Sequence, residues 1–162
     1  SILAKAPETI EGRDVAYLVT DGCDAEIVEA LREAIEANGA RMVVVAPSIG
    51  GVRTRAGRPM PADGQLAGSP SVLFDAVVLA PSAEGGAALA RDAGAVAFVH
   101  DAFAHAKVIG HVGDAADLME AAGVEADEGI VALDAIGDVA DFIAAAKRHR
   151  IWEREAKVRP AP

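Results

Sequence analysis

Residues 14–47 read DVAYLVTDGCDAEIVEALREAIEANGARMVVVAP, and this stretch decides the fold. Its first seven residues are a short apolar run rich in β-branched side chains, as a buried strand requires. The continuation DAEIVEALREAIEANG sets Ile27, Val28, Leu31, Ala34 and Ile35 on one face at helical spacing. Asp24 stands where an N-cap belongs and Gly39 where a helix stops, and RMVVVAP then supplies a second apolar run. Strand, helix and strand in that order make a βαβ unit, with parallel strands and a right-handed crossover.

Working outward, the same rhythm recurs. FDAVVLAP (74–81) reads as a third strand, residues 83–92 and 96–106 as helices, and KVIGHV (107–112) as a fourth strand followed by the helix DAADLMEAAG. GIVALD (129–134) is a short fifth strand, and VADFIAAAKRHRIWE (139–153) a closing helix with Val139, Phe142, Ile143 and Ala146 at helical spacing. Between the second and third strands, residues 48–70 are rich in Gly and Pro, which predicts a small hairpin or excursion at the sheet edge, where proline is tolerated. The alternation predicts an α/β fold: a doubly wound, mostly parallel sheet, flavodoxin-like in strand order, with helices on both faces. Residues 1–12 lack any period and contain Pro7 and Gly12, so they read as a linker or arm, with one domain over 13–155 and a tail over 156–162. Position 1 is not Met, and the expectation is a piece of a larger protein.

Composition narrows the function classes. With 162 residues, 52% hydrophobic, the chain is long enough to bury one core. A formal net charge of −10 repels a phosphate backbone, so nucleic acid is not an expected partner. No apolar run reaches the roughly 18–20 residues of a membrane span, and no secretory leader is visible, so the expectation is a cytoplasmic protein with no membrane partner. The single cysteine, Cys23, excludes an internal disulfide and suits a reducing compartment. The segment KRHRIWEREAKVR (147–159) holds six of the fifteen Lys and Arg residues. It reads either as solvated cations complementing a helix C-terminus or as a docking face, with Arg148, Arg150, Trp152 and Arg154 as its contact residues.

Ligands of this architecture sit beyond the carboxyl ends of the strands, so the loops to inspect are TDGCD (20–24), APSAEGG (80–86) and HVGDA (111–115). Asp21 and Asp24 repel a phosphate, and neither GxGxxG nor GxxxxGK[ST] is present, which argues against flavin, dinucleotide and P-loop chemistry. Cys23 between two aspartates is a poor nucleophile, since neighbouring negative charge disfavours the thiolate. Ser82 lacks the GxSxG setting of a serine elbow. His100 and His105, five apart, do not share a helix face, so no metal site is expected; His111 could line the pocket or be a satisfied structural group. Tyr17 lies inside the first apolar run, and no histidine has an axial-ligand setting, so haem is not expected in this chain.

Two resemblances organise these residues. KVIGHVGDAADLMEAAGV (107–124) resembles the strand, Cys-His-Gly and helix ending in Ala-Gly of the class I glutamine amidotransferase-like superfamily, in its intracellular protease I and Parkinson-associated deglycase branch. Counted back from Ala122 and Gly123, the nucleophilic Cys falls on Gly113 and the following His on Asp114; the acidic partner falls on Asp24, and the family's Pro-Gly-Gly on Pro81, Ser82 and Ala83. The resemblance implies that covalent catalysis is lost and that Asp24, Ser82, His111, Gly113 and Asp114 outline a vestigial pocket. The alternatives are a stand-alone hydrolase or deglycase using Asp24 with Cys23 or His111, and a small-ligand pocket that outlived catalysis.

The second resemblance spans the chain. EGRDVAYLVTDGCDA (11–25), ADGQLAGSPSVLFDAVV (62–78), FVHDAFAHAKVIG (98–110) and FIAAAKRHRIWERE (142–155) are similar to the C-terminal domain of large-subunit haem catalases. It implies a non-catalytic appendage, with haem and hydrogen peroxide chemistry in a separate N-terminal core. The implied partners are that core and the neighbouring subunits of a homotetramer. The implied roles are stability, access to the haem channel or chaperoning.

Overall fold

The computed structural model describes residues 8–148 together with Ile151 and Arg154. The predicted βαβ unit is β1 (Asp14–Val19), α1 (Ala25–Ala37) and β2 (Arg41–Ala46), with β1 and β2 in parallel register from Asp14 opposite Arg41 to Leu18 opposite Val45. Asp24 caps α1 as expected, accepting from the Glu26 amide at 2.9 Å. The Gly- and Pro-rich excursion resolves into a two-stranded antiparallel hairpin, β3 (Val52–Arg53) and β4 (Pro59–Met60), followed by β5 (Gly64–Gln65), which pairs parallel with the edge of β2. Then come β6 (Ala76–Ala80), α2 (Ala83–Ala90), α3 (Ala93–Ala104), β7 (Val108–His111), α4 (Ala116–Ala121), β8 (Ile130–Ala132) and α5 (Asp138–Ala146). Among the described residues the main sheet is wholly parallel, in the order β5-β2-β1-β6-β7-β8. Setting aside the two-residue β5, that is the flavodoxin-like order the sequence predicts.

Side-chain alternation along the central strand divides the core. Val15, Tyr17 and Val19 join the cluster under α1, α5 and the hairpin, while Ala16 and Leu18 join the cluster under α2, α3 and α4. All five are buried, which is why the strand reads as a continuous apolar run. No helix among the described residues is long and apolar enough to cross a membrane.

The closing helix is shorter than expected. It ends at Ala146, and the Ile151 amide donates to the Ala106 carbonyl at 2.6 Å instead of continuing a helical ladder. Ile151 is drawn in by burial against Gly129, where a Cβ would lie 2.4 Å from its Cγ1; only a glycine admits this approach.

Candidate functional site

The loops leaving β1, β6, β7 and β8 meet beyond the carboxyl ends of the strands around a cleft of about 200 Å³. Gly22 and Asp24 come from the first loop, Ser82 from the second, Gly113 and Asp114 from the third and Asp134 from the fourth, and Arg55 reaches in from the hairpin. Backbone bonds stitch that hairpin to the first loop: Gly22 donates to the Arg53 carbonyl at 2.8 Å, and Arg55 to the Cys23 carbonyl at 2.9 Å. Four expected pocket residues thus share one cleft. His111 is not among its lining residues; it is half-buried at the end of β7, with Nδ1 3.4 Å from the Val112 carbonyl oxygen.

Each polar group in the cleft is engaged within the chain or faces solvent. Asp24 is exposed and caps its own helix. Ser82, expected to be a loop serine, is the N-cap of α2: its Oγ accepts from the Gly85 amide at 3.1 Å and lies 3.2 Å from Thr20 Oγ1. Thr20 Oγ1 in turn accepts from the Ser82 amide at 2.9 Å. Gly85 packs so closely that a Cβ there would lie 1.9 Å from Thr20 Oγ1. Two of the amides at this helix N-terminus, those of Ser82 and Gly85, are therefore taken by hydroxyls of the chain itself. The roles of Thr20, Arg55 and Asp134 escaped the sequence reading: Thr20 acts on a turn 62 residues away, and Arg55 and Asp134 reach the cleft from a hairpin and a loop that no motif marks.

At the position that the sequence resemblance sets against a nucleophile, the chain passes from β7 through a 3-10 turn (Gly113–Ala115) into α4. An elbow that presents a nucleophile is sharp and strained. Gly113 has no left-handed φ, and a Cβ added to it would meet nothing within 4 Å. Neither backbone geometry nor packing demands glycine here. Cys23 is 1% exposed, and burial, then the charges of Asp21 and Asp24, push its thiol above the ordinary value. That disfavours the thiolate which nucleophilic attack needs.

The described residues gather no group of three or more His, Cys, Asp or Glu side chains that could hold a metal ion. They do not suit haem either. Tyr17 is enclosed in the core, and His100 Nδ1 lies 3.2 Å from the Ala122 carbonyl oxygen at the end of α4, so neither is placed as an axial ligand.

The opposite edge of the sheet holds the charged residues expected on the C-terminal face. Arg148 is exposed and pairs with Glu128 at 3.2 Å. Arg150 and Trp152 lie outside the described residues. Arg154 corrects the expectation of a contact residue, because its side chain is fully buried in its own domain. It binds Asp127 through two bonds, 2.7 and 2.9 Å, donates to the carbonyls of Phe103 and Lys107, and lies over the Phe103 ring. Lys107, also buried, donates its ammonium to the carbonyls of Ser71, Val72 and Phe74.

A crystal structure of a DJ-1 superfamily protein from Salmonella typhimurium superposes with a TM-score of 0.69 at 24% identity, covering 81% of this chain and 86% of that one, which shows a shared fold. Catalase C from Rhizobium meliloti is 42% identical over 98% of this chain, and catalases HPII from Pseudomonas putida and Mycobacterium avium are 32% and 33% identical over 94% and 95% of it. The chain spans only 21–24% of the length of these three relatives. Residues 11–156 match the family described as the C-terminal domain found in long catalases, and the chain belongs to that family.

Proposed function

We propose that this domain is a non-catalytic structural and interaction module of a long haem catalase, contributing to its stability or assembly. Dismutation of hydrogen peroxide belongs to a haem-bearing core outside the chain. The working protein is a cytoplasmic homotetramer, in which the domain contacts the core and neighbouring subunits. Asp24, Ser82, His111, Gly113 and Asp114 are the remnant of an ancestral catalytic edge. Arg148, Arg150 and Trp152 contribute contacts on the C-terminal segment, and Arg154 anchors that segment internally.

The observation that carries the reading is Gly113. A glycine that neither packing nor backbone conformation requires stands where the resembling superfamily mounts its nucleophile. The Thr20 and Ser82 hydroxyls and the Ser82 and Gly85 amides nearby bond to one another, which takes those donors away from an oxyanion. The test is deletion of the domain from the intact catalase, followed by measurement of tetramer dissociation and heat inactivation. Faster loss of tetramer and of activity is the expected result. Unchanged assembly and inactivation rate, or turnover of amides, peptides or glyoxal adducts by the separate chain, would overturn the reading.

A further inference from the structure

We propose that the turn carrying Val72 and Leu73 is the surface on which this domain docks against the polypeptide that precedes it in the parent catalase. This rests on the functional reading above and adds to it a place on the fold. Exposed large hydrophobic side chains are few among the described residues: Ile49, Val72, Leu73 and Ile136. Isolated ones need no explanation. Val72 and Leu73 are adjacent, 60% and 61% exposed, and share one 3-10 turn (Ser71–Leu73).

That turn is held rigid from beneath. Lys107 reaches up from the start of β7 and donates to three of its carbonyls, those of Ser71, Val72 and Phe74. Burying an ammonium is costly unless such partners receive it. A turn ordered before contact loses little conformational freedom on docking, so more of the contact energy appears as affinity.

Position identifies the occupant. Phe74 leads directly into Asp75, whose carboxylate accepts from the Asp14 amide at 2.9 Å and pairs with Arg13 at 3.3 Å. The Val72–Leu73 pair therefore stands beside the point where the chain enters β1, at the amino edge of the sheet. The family is a C-terminal domain, and this chain is 21–24% of the length of the three long relatives compared above. More than three-quarters of such a protein lies outside the domain, and a polypeptide tethered where the chain enters β1 has a raised effective concentration there. The half-exposed Arg13–Asp75 pair supplies a polar border to the apolar contact.

The experiment uses the full-length catalase. A photo-crosslinking amino acid replaces Leu73, and cross-linked peptides are mapped by mass spectrometry. In parallel, the Val72→Ser/Leu73→Ser variant is subjected to limited proteolysis at the connection into β1. The expected results are cross-links to the polypeptide preceding the domain, and cleavage about tenfold faster in the double variant, the effect of losing one interface hot spot. Cross-links confined to a second copy of this domain would assign the turn to a domain–domain contact and overturn the proposal. An absence of cross-links, or an unchanged cleavage rate, would overturn it too. Failure here while domain deletion still destabilises the tetramer removes only this inference; an inert deletion removes the functional reading itself.

Discussion

The two edges of the sheet handle polar groups in opposite ways. At the carboxyl edge, Thr20, Ser82 and Gly85 satisfy one another, the acidic side chains face solvent, and Gly113 opens onto unfilled space. At the amino edge, two full cations are buried, Arg154 on Asp127 and Lys107 on a ring of carbonyls, and each fastens a distant segment. Ligands of this architecture sit at the carboxyl edge, whereas here it is the amino edge that carries the buried charges that are hardest to remove. The difference teaches that the residues whose removal should cost most stability lie at the edge away from the cleft.

The largest expected effect comes from the amino edge. Arg154→Met takes the guanidinium from Asp127, whose side chain is 8% exposed, and from the carbonyls of Phe103 and Lys107. Breaking a buried pair from one side costs about 3–5 kcal/mol. Chemical denaturation of the variant should show a loss of that order, with partial recovery when Asp127→Asn is added. A loss under about 1 kcal/mol would place Arg154 among ordinary surface ion pairs and erase the contrast between the edges.

Next in size is Gly85→Ala. A Cβ 1.9 Å from Thr20 Oγ1 must push the β1 loop and α2 apart, and overpacking of this kind costs about 1–3 kcal/mol. Adding Thr20→Ala to the variant removes the clashing hydroxyl and the methyl and should restore part of the stability. Should Gly85→Ala prove neutral in denaturation, the carboxyl edge is looser than its hydrogen bonds imply.

A smaller effect should appear with pH. Burial raises the thiol pKa of Cys23 in the folded chain, so the folded state retains its proton where the unfolded state has lost it. The associated stability is fully present below the unfolded value of about 8.5 and declines as pH rises through the folded one. Cys23→Ala should flatten the alkaline limb of a stability–pH profile. An identical slope in both proteins would show that the thiol plays no part.

How much of this was legible in the sequence follows from the range of the interactions. The βαβ unit was legible because its signals are local: the periodicity of α1, the cap at Asp24 and the uniformly apolar β1. The hairpin was foreseen as one of two readings, a hairpin or an excursion, since proline and glycine mark a break without fixing its pairing. The closing helix was drawn too long because residues 147–153 suit a helix locally, while burial of Ile151 and Arg154 against Ala106, Gly129 and Asp127 ends it. The same long-range pull turned Arg154 inward. Lys107 and the Thr20–Ser82 pair stayed hidden for that reason: their partners are 33–36 and 62 residues away.

Gly113 itself gives the smallest expected effect and the sharpest comparison. Installing the missing nucleophile as Gly113→Cys places its Cβ in open space on a backbone any residue adopts, so stability should stay within about 0.5 kcal/mol of the parent or rise slightly. Turnover should nevertheless remain absent. The turn lacks the strained geometry that aims a nucleophile, His111 is not among the residues lining the cleft, and the Ser82 and Gly85 amides are held by hydroxyls. The variant is checked by denaturation and by mass spectrometry for an acyl-enzyme after exposure to activated esters. A stable variant without adduct places the loss of activity in the surrounding donors as well as in the nucleophile. Accumulation of a covalent acyl-enzyme would show that the carboxyl edge supports covalent chemistry despite Asp114 and the Pro81-Ser82-Ala83 turn, and would overturn the reading of a non-catalytic module.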